Sequence, residues 1–482
     1  MMLKGFVGGA YQARNLQAAA DVCKNLYVET QDSQTADPRQ ILLGVPGLAL
    51  AFTLPDTPTR GQFAQDGRSW AIGGSSFYET TTGAAVLIGG VANDGNPAQF
   101  VSNGQDGHQL MILSAGIVYC FDLNSSAFTT VTGTSSFPAG TILGLDYMNG
   151  FFIVATTVEI AISASLDGTS WNAAQVGQRL LATDYLAAII ALPPNLWMIG
   201  SLGTEVWYDN GASVFPFGPI PNVFIDAGIA ARLSLMRLDN SVAWIAQSRY
   251  GARMVVEASA QYVPIRISTH AIEASLNACA TVTDFVGYAY LEEGHTFYVL
   301  TSVANQLTWV YDVGEKLWHQ RLYKNPVNGN EDAQLAWNHV ALNGNTHWVG
   351  DRRNGNIYTQ SLSTYSDNGD PIVATRACPH LSQQKHRIFY PGLQIDCQMG
   401  VGLNTGQGSH PQIMLDWSND GGETYGNIVN TSIGLIGEYK NRAIFRQLGS
   451  GRNRVFRVSI SDPVSRCFLN AYLDPEPTVG SN

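Results

Sequence analysis

GFFIVATTVEIAISAS, residues 150–165, follows directly on Asn149. An Asn-Gly pair is the strongest short-range hairpin signal, because a two-residue turn needs central residues that accept positive φ. Behind it come two apolar runs, FFIVA and IAIS, each too short for a helix and rich in strand-forming side chains. The stretch reads as a β-hairpin with both faces apolar. Hairpins of this kind recur as HQLMILSAGIVYCFDL, NLWMIGSLGTEVWYD, SVAWIAQ, HTFYVLTSVANQLTWVYD and NTHWVGDRRNGNIYTQ. Asn-Gly and Asp-Gly pairs beginning at Asp66, Asp94, Asn103, Asp106, Asn149, Asp167, Asn210, Asn328, Asn343, Asn354, Asn368 and Asp420 punctuate them.

The first strand of each unit starts near Gly61, Ala98, Thr141, Tyr185, Leu233, Ala280 and Ala333. That spacing, roughly 40 to 50 residues, is the period of a four-stranded propeller blade. One small antiparallel sheet cannot bury both faces alone, whereas sheets packed radially cover each other. The reading is an all-β chain whose propeller has seven blades, or six and an irregular closing segment. One helix interrupts it, ISTHAIEASLNAC at 267–279, with Ser268 or Thr269 as cap and Ile272 and Leu276 on its apolar face. After Pro371 the rhythm stops, and YPGLQIDCQMG, PQIMLDWSND and RNRVFRVSISD suggest a β-sandwich. AAADVCKNLYVET reads as a helical turn running into a strand, and GVPGLAL as a turn entering the propeller. The expected division is 1–45 as a segment joining the C-terminal sheet, 46–370 as propeller and 371–482 as a β-sandwich platform.

Composition narrows the function. The 482 residues are 45% hydrophobic and 13% charged, with 49 Gly, which fits many turns and few helices. No apolar run approaches the roughly 20 residues of a membrane span. The N-terminus is too weakly apolar for a secretory signal. Six scattered cysteines without a C-x-x-C pair suggest buried free thiols, not a disulfide framework. The net charge of −11 is uneven: residues 371–482 hold 10 Lys and Arg against 8 Asp and Glu, leaving 17 against 30 in residues 1–370. So acidic a body argues against wrapping nucleic acid, which needs clustered cations.

DWSNDGGETYGN, 416–427, carries the most pattern-like residues. Ser418, Asp420, Gly422, Thr424 and Tyr425 follow the Asp-box pattern S-x-D-x-G-x-T-[WY], best known from sialidase propellers. SLDGTSW, with Asp167, Gly168 and Trp171, is a shorter version. Both explain themselves as turn chemistry: a carboxylate takes up turn N–H groups where the backbone visits positive φ, and an aromatic side chain folds over. A sialidase would also need three converging arginines, a Tyr–Glu nucleophile pair and an acid Asp. No spacing among Arg60, Arg68, Arg179, Arg232, Arg237, Arg249, Arg253 and Arg266 singles out three. A glycan-cleaving or glycan-binding propeller at a host surface is the alternative function. In CPHLSQQKHR, Cys378, His380 and His386 lack a fourth zinc ligand and have Lys385 and Arg387 as neighbours. No catalytic, cofactor or metal residue is assigned.

KNRAIFRQLGSGRNRVFRVSISD, 440–462, is the charged feature of interest. Phe456, Val458 and Ile460 alternate onto one face, with Arg457 and Ser459 opposite. Arg442, Arg446, Arg452, Arg454 and Arg457 read either as a solvated face or as a cationic interface for an acidic neighbour, such as another copy's body. DNA contact ranks third.

Several stretches, taken in order, resemble the packaged-DNA stabilisation proteins, the tail accessory or nozzle subunits, of P22-like short-tailed bacteriophages. They are CKNLYVE, GVPGLAL, SASLDGTSW, ISTHAIEASL, WVYDVGEKLWHQRL, DWSNDGGETYGN and RQLGSGRNRVFRVSISDPV. The resemblance implies a structural, non-enzymatic virion protein assembled in the host cytoplasm. It implies a homo-hexameric ring below the portal and adaptor that closes the capsid after packaging. Double-stranded DNA would pass its lumen without sequence-specific binding, and the ring would carry a tail needle and fibres or tailspikes. The family brings no catalytic residues.

Overall fold

The computed structural model describes residues 1–31, 39–259, 261–342, 346–473 and 478–479. Antiparallel sheets are laid down one after another as up-and-down meanders. Their first strands are Thr59–Gln65, Gln99–Ser102, Gly144–Met148, Leu186–Leu192, Met236–Leu238, Val286–Glu292 and Ala336–Leu342. Each of these touches the next, and the last returns to the first. The sheets thus follow one another in a closed circuit, their first strands beginning within six residues of the expected starts. Both faces of a typical strand are apolar because each faces a different neighbour. In the second sheet, Ile112 packs with Trp70 and Phe77 of the first, while Met111 packs with Phe152 and Val154 of the third. Trp197 and Trp244 fill the gap between the fourth and fifth sheets.

The seventh sheet is closed from afar. Its own strands are Ala336–Leu342, Thr346–Asp351 and Asn356–Ser361, and its fourth strand is Gly47–Thr53, with Tyr358 opposite Leu50, Ser361 opposite Gly47 and Asp367 bridging to Leu48 beyond. GVPGLAL is therefore a strand after a short corner, not merely a turn. The outer edge of that sheet would otherwise expose unpaired N–H and C=O groups.

The sandwich draws on both ends of the chain. One sheet orders Ala20–Lys24, Ala374–Ala377, Val455–Ile460, Gln412–Ser418 and Val429–Ser432; the other orders Leu26–Gln31, Arg39–Gly44, Cys467–Leu473, Gly392–Cys397 and Ala443–Arg446. AAADVCKNLYVET holds two strands and no helical turn. Asn25, at φ +53, makes the corner between them. Its amide donates to Leu322 O at 3.0 Å and Val373 O at 2.9 Å and accepts from Leu322 N at 2.9 Å. One side chain thereby ties the N-terminal corner, the exit from the sixth sheet and the start of the C-terminal module.

Lys24 pairs in parallel with Gln320, so the first sandwich sheet continues the sixth propeller sheet. The core is continuous too: Cys23, Ile395, Phe456 and Phe468 share a cluster with Trp309 and Trp318 of the sixth sheet. Ile272 and Leu276 join it from the helix His270–Ala278, which Thr269 caps by accepting from Ile272 N.

Among the Asn-Gly and Asp-Gly pairs, Asp66-Gly67, Asn149-Gly150 and Asn368-Gly369 form two-residue hairpin turns with both φ positive. Ala115-Gly116 and Glu293-Gly294 turn hairpins the same way. Asp167-Gly168 does not, because its hairpin turns one step earlier, with Leu166 at φ +58. The pair beginning at Asn343 lies outside the described residues.

Candidate functional site

The five arginines of the C-terminal module have different fates. Arg454 is buried, 1% exposed: its guanidinium donates to Asn419 Oδ1, Leu448 O and Ser450 O and lies 4.4 Å over the Tyr390 ring. Burial pulls its pKa down to about 10. It faces inward because three acceptors and an aromatic wall meet it there, so it presents no charge to a partner. Arg457 forms two hydrogen bonds with Asp416, at 2.9 and 2.5 Å, and stacks 3.7 Å from the centre of the Tyr425 ring. Three remain at the surface. Arg442 donates to Gln394 Oε1, Arg452 donates to Lys385 O at 3.2 Å, and Arg446 is exposed.

The Asp box closes on itself. Ser418 Oγ accepts from Asp420 N at 3.2 Å and Gly422 N at 2.8 Å. The Asp420 carboxylate accepts from Glu423 N at 3.1 Å and Thr424 N at 3.0 Å, and from the hydroxyls of Ser418 and Thr424. Gly421 and Gly422 sit at φ +86 and +98, and a Cβ on Gly422 would lie 2.7 Å from Ala20 Cβ. The hydrogen bonds from Ser418 and Thr424 hold the Asp420 carboxyl well below its ordinary value of 3.8. Its contribution is present above that value and is lost as the pH falls through the lower folded-state value. Asp420→Asn should speed amide exchange at Glu423 and Thr424 and leave assembly intact. A loss of assembly with unchanged exchange would contradict a purely local role.

The shorter box behaves alike. Asp167 accepts from Thr169 N at 2.9 Å, Trp171 Nε1 donates to Gly168 O at 2.8 Å, and Trp171 packs edge-on against Phe137.

The propeller arginines are likewise committed locally. Arg60 is buried and bonds Gly74 O, Ala92 O, Asn96 O and Asp94, latching the first sheet to the second. Arg68 pairs with Glu79 and Arg266 with Glu273. Arg237, on the first strand of the fifth sheet, sends Nη2 to both Asp146 oxygens of the third, at 2.7 and 2.8 Å. This pair ties the fifth sheet directly to the third. Arg232 Nη1 reaches Leu143 O at 3.0 Å in the same direction. Two side chains thereby tie the start of the fifth sheet to the third. His380, weighed above as a metal ligand, is instead within hydrogen-bond distance of Leu16 O and Asn453 Oδ1.

One feature the sequence reading missed is the loop at 179–185. Glu205, fully buried, accepts from Leu180 N at 3.1 Å, Leu181 N and Ala182 N at 2.9 Å, and Trp207 Nε1 at 3.1 Å. Arg179 is wedged between Asp184, at 3.1 Å, and Glu205, at 3.7 Å. The loop is held rigidly while Leu180, Leu181 and Tyr185 point into solvent. The only sequence signal was an apolar pair, Leu180-Leu181, standing outside any strand.

Residues 5–365 match the family model described as Bacteriophage P22 Gp10, beta-propeller, and residues 374–476 match the one described as Bacteriophage P22 Gp10, beta-sandwich. The two modules in this order define a structural protein of the bacteriophage virion, not an enzyme. The chain belongs to the P22 Gp10 family, the packaged-DNA stabilisation proteins of P22-like phages. Its first matched segment includes strands that pair in the sandwich, so the match boundary and the tertiary boundary differ. No curated protein sequence matches the chain.

Solved structures similar to it include the extracellular domain of the hybrid two component system BT4673 from B. thetaiotaomicron, at 8% identity and TM-score 0.44. The alignment covers 76% of this chain and 45% of that one. The N-terminal domain of Nup159 is similar at 11% identity and TM-score 0.40, over 70% of this chain and 98% of that one. YCF48 from Cyanidioschyzon merolae is similar at 11% identity and TM-score 0.42, over 66% of this chain and 99% of that one. Nothing about function follows from likenesses at this level. Among the described residues, no helix is long and apolar enough to cross a membrane.

Proposed function

We propose that this chain is a tail nozzle subunit. Six copies form a ring that extends the portal and adaptor channel, retains packaged DNA and carries the needle and the fibres or tailspikes. The observation that carries this reading is the match of both modules, in order, across almost the whole chain. Residues 1–45 and 371–482 act as the platform, and 46–370 as a propeller projecting from it. Carboxylates facing that channel would repel DNA within about 8 Å of the wall at physiological salt and keep it from adhering. The exposed Arg442, Arg446 and Arg452 are the proposed contacts with acidic neighbours.

Cryo-electron microscopy of particles carrying a tagged chain tests the reading. A six-fold annulus of tag density below the adaptor is the expected result. Tag density elsewhere on the particle, or particles that keep their DNA without the chain, would overturn it.

A further inference from the structure

The rigid loop at 179–185 belongs to a contiguous apolar patch on one face of the third and fourth sheets. Leu186 N donates to Thr157 O and Ser201 N to Tyr185 O, which sets Val158, Tyr185 and Leu202 side by side. The Phe224 ring lies over Gly203 and completes the patch. Leu180 and Tyr185 are 70% and 75% exposed, yet their backbone is pinned by Glu205, Arg179 and Asp184. Holding apolar side chains rigidly in water is unfavourable unless something covers them, and rigidity lowers the entropic cost of being covered. Nucleic acid is a poor occupant: Arg179 is buried between two carboxylates, and Arg249 at the rim is paired with Asp226. With Arg179, Asp184 and Glu205 buried, the accessible rim charge is two carboxylates, Glu159 and Asp226, against the one guanidinium of Arg249.

The sandwich carries a second patch of the opposite rim charge. Between Val429–Ser432 and Ala443–Arg446, Leu435, Ile436 and Tyr439 are exposed, the last at 75%. This loop is also fixed: Gly437 N donates to Gly400 O, Leu435 N to Glu438 Oε2 and Asn441 Nδ2 to Ser432 O. Tyr439 lies over Gly400, and Lys440 and the exposed Arg442 flank it against the single carboxylate of Glu438. A head-to-tail ring needs two different, complementary surfaces on the same chain, and these two match in apolar character and rim charge.

We infer that the 435–439 loop of one copy seats on the apolar patch around Leu180, Tyr185 and Phe224 of the next. The inference rests on the ring proposed above and assigns the surfaces that build it. Both loops are preformed knobs on stiff supports, so the contact forms without refolding either module. Its rim pairs, Lys440 and Arg442 against Glu159 and Asp226, set the register of the apolar centre.

The test uses tailed particles assembled with variant chains. Tyr185→Cys and Tyr439→Cys, combined in one chain, should give a disulfide-linked ladder up to the hexamer in non-reducing gels, and neither should do so alone. Both side chains are exposed, so the variants should fold. Tyr185→Lys should weaken assembly about 30-fold or more, as expected for a central aromatic contact, with Tyr439→Asp acting alike. A six-fold annulus with no ladder would overturn the assigned surfaces while leaving the nozzle reading intact. A ladder-free Tyr185→Lys defect would give the patch to a different virion protein and likewise overturn the inference. Absence of any annulus would overturn the nozzle reading, and the contact with it.

Discussion

Arg376→Ala is expected to detach the N-terminal loop from the sandwich and to lower stability by about 3–5 kcal/mol. Arg376 is 2% exposed. Its guanidinium donates to Phe6 O at 2.7 Å, Gly5 O at 2.7 Å, Gly9 O at 2.9 Å and Val22 O at 3.2 Å. No secondary-structure ladder serves the carbonyls of residues 5, 6 and 9, so this one side chain gathers them. Truncation to Ala would leave several buried acceptors without donors beside an unfilled cavity. Against a typical total of about 5–15 kcal/mol, the loss would be large. Urea titration should show the lower midpoint, and hydrogen exchange should show Leu3 and Ala10 losing protection, since their amides bond Ala471 O and Trp318 O. Arg376→Lys should recover only part, because an ammonium cannot reach four carbonyls spread around a planar fork. Unchanged protection at Leu3 and Ala10 in the Ala variant would show that other contacts hold the segment.

Glu205→Ala should cost a similar amount, about 3–5 kcal/mol, in the fourth sheet of the propeller. It removes the acceptor for three consecutive backbone N–H groups and one indole N–H. It also leaves Arg179, 4% exposed, with Asp184 as its remaining carboxylate partner. Glu205→Gln separates charge from shape. Oε1 serves Leu181 and Ala182, and Oε2 serves Leu180 and Trp207. Whichever oxygen becomes NH2 then meets donors with a donor, so the amide should rescue little despite its identical size. The readouts are amide exchange at 180–182, Trp207 fluorescence and the urea midpoint. Full rescue by Gln would mean that packing, not the carboxylate, holds the loop. If the patch is an interface, both variants should also reduce ring formation, since a loosened loop must be reordered on docking.

The propeller was legible because its units are local. FFIVA and IAIS announce a hairpin with two buried faces, and that pattern returned at the spacing of a blade. The two Asp boxes were legible for the same reason, since Asp420 and its partners lie within a few residues. The outer strand Gly47–Thr53 was not, because its partner, Asn356–Ser361, lies some three hundred residues away. Ala20–Lys24 was not legible either: its small side chains give a weak period until the C-terminal module covers them, and it read as a helical turn, whereas Leu26–Gln31 read as the strand it is.

The arginines divide along the same line. Arg454 and Arg457 look alike in RNRVFRVSISD, and alternation correctly set Arg457 opposite Phe456 and Val458. Nothing in that segment says that Leu448, Ser450 and Asn419 will surround Arg454, or that Asp416 and Tyr425 will occupy Arg457. The exposed pair Leu180-Leu181 was equally silent, because its rigidity depends on a carboxylate in the next sheet.

By itself, then, the sequence determined the hairpins, their period, the tight turns and the family to which the chain belongs. The first three rest on backbone preferences and side-chain alternation over a few neighbouring residues, and the family on motifs that recur in order along the chain. The tertiary structure alone decided how the seventh sheet closes the propeller, the strand order by which the N-terminal segment enters the sandwich, and which charges are buried or free. A buried charge survives only where distant segments bring acceptors to it, and no local pattern records that meeting.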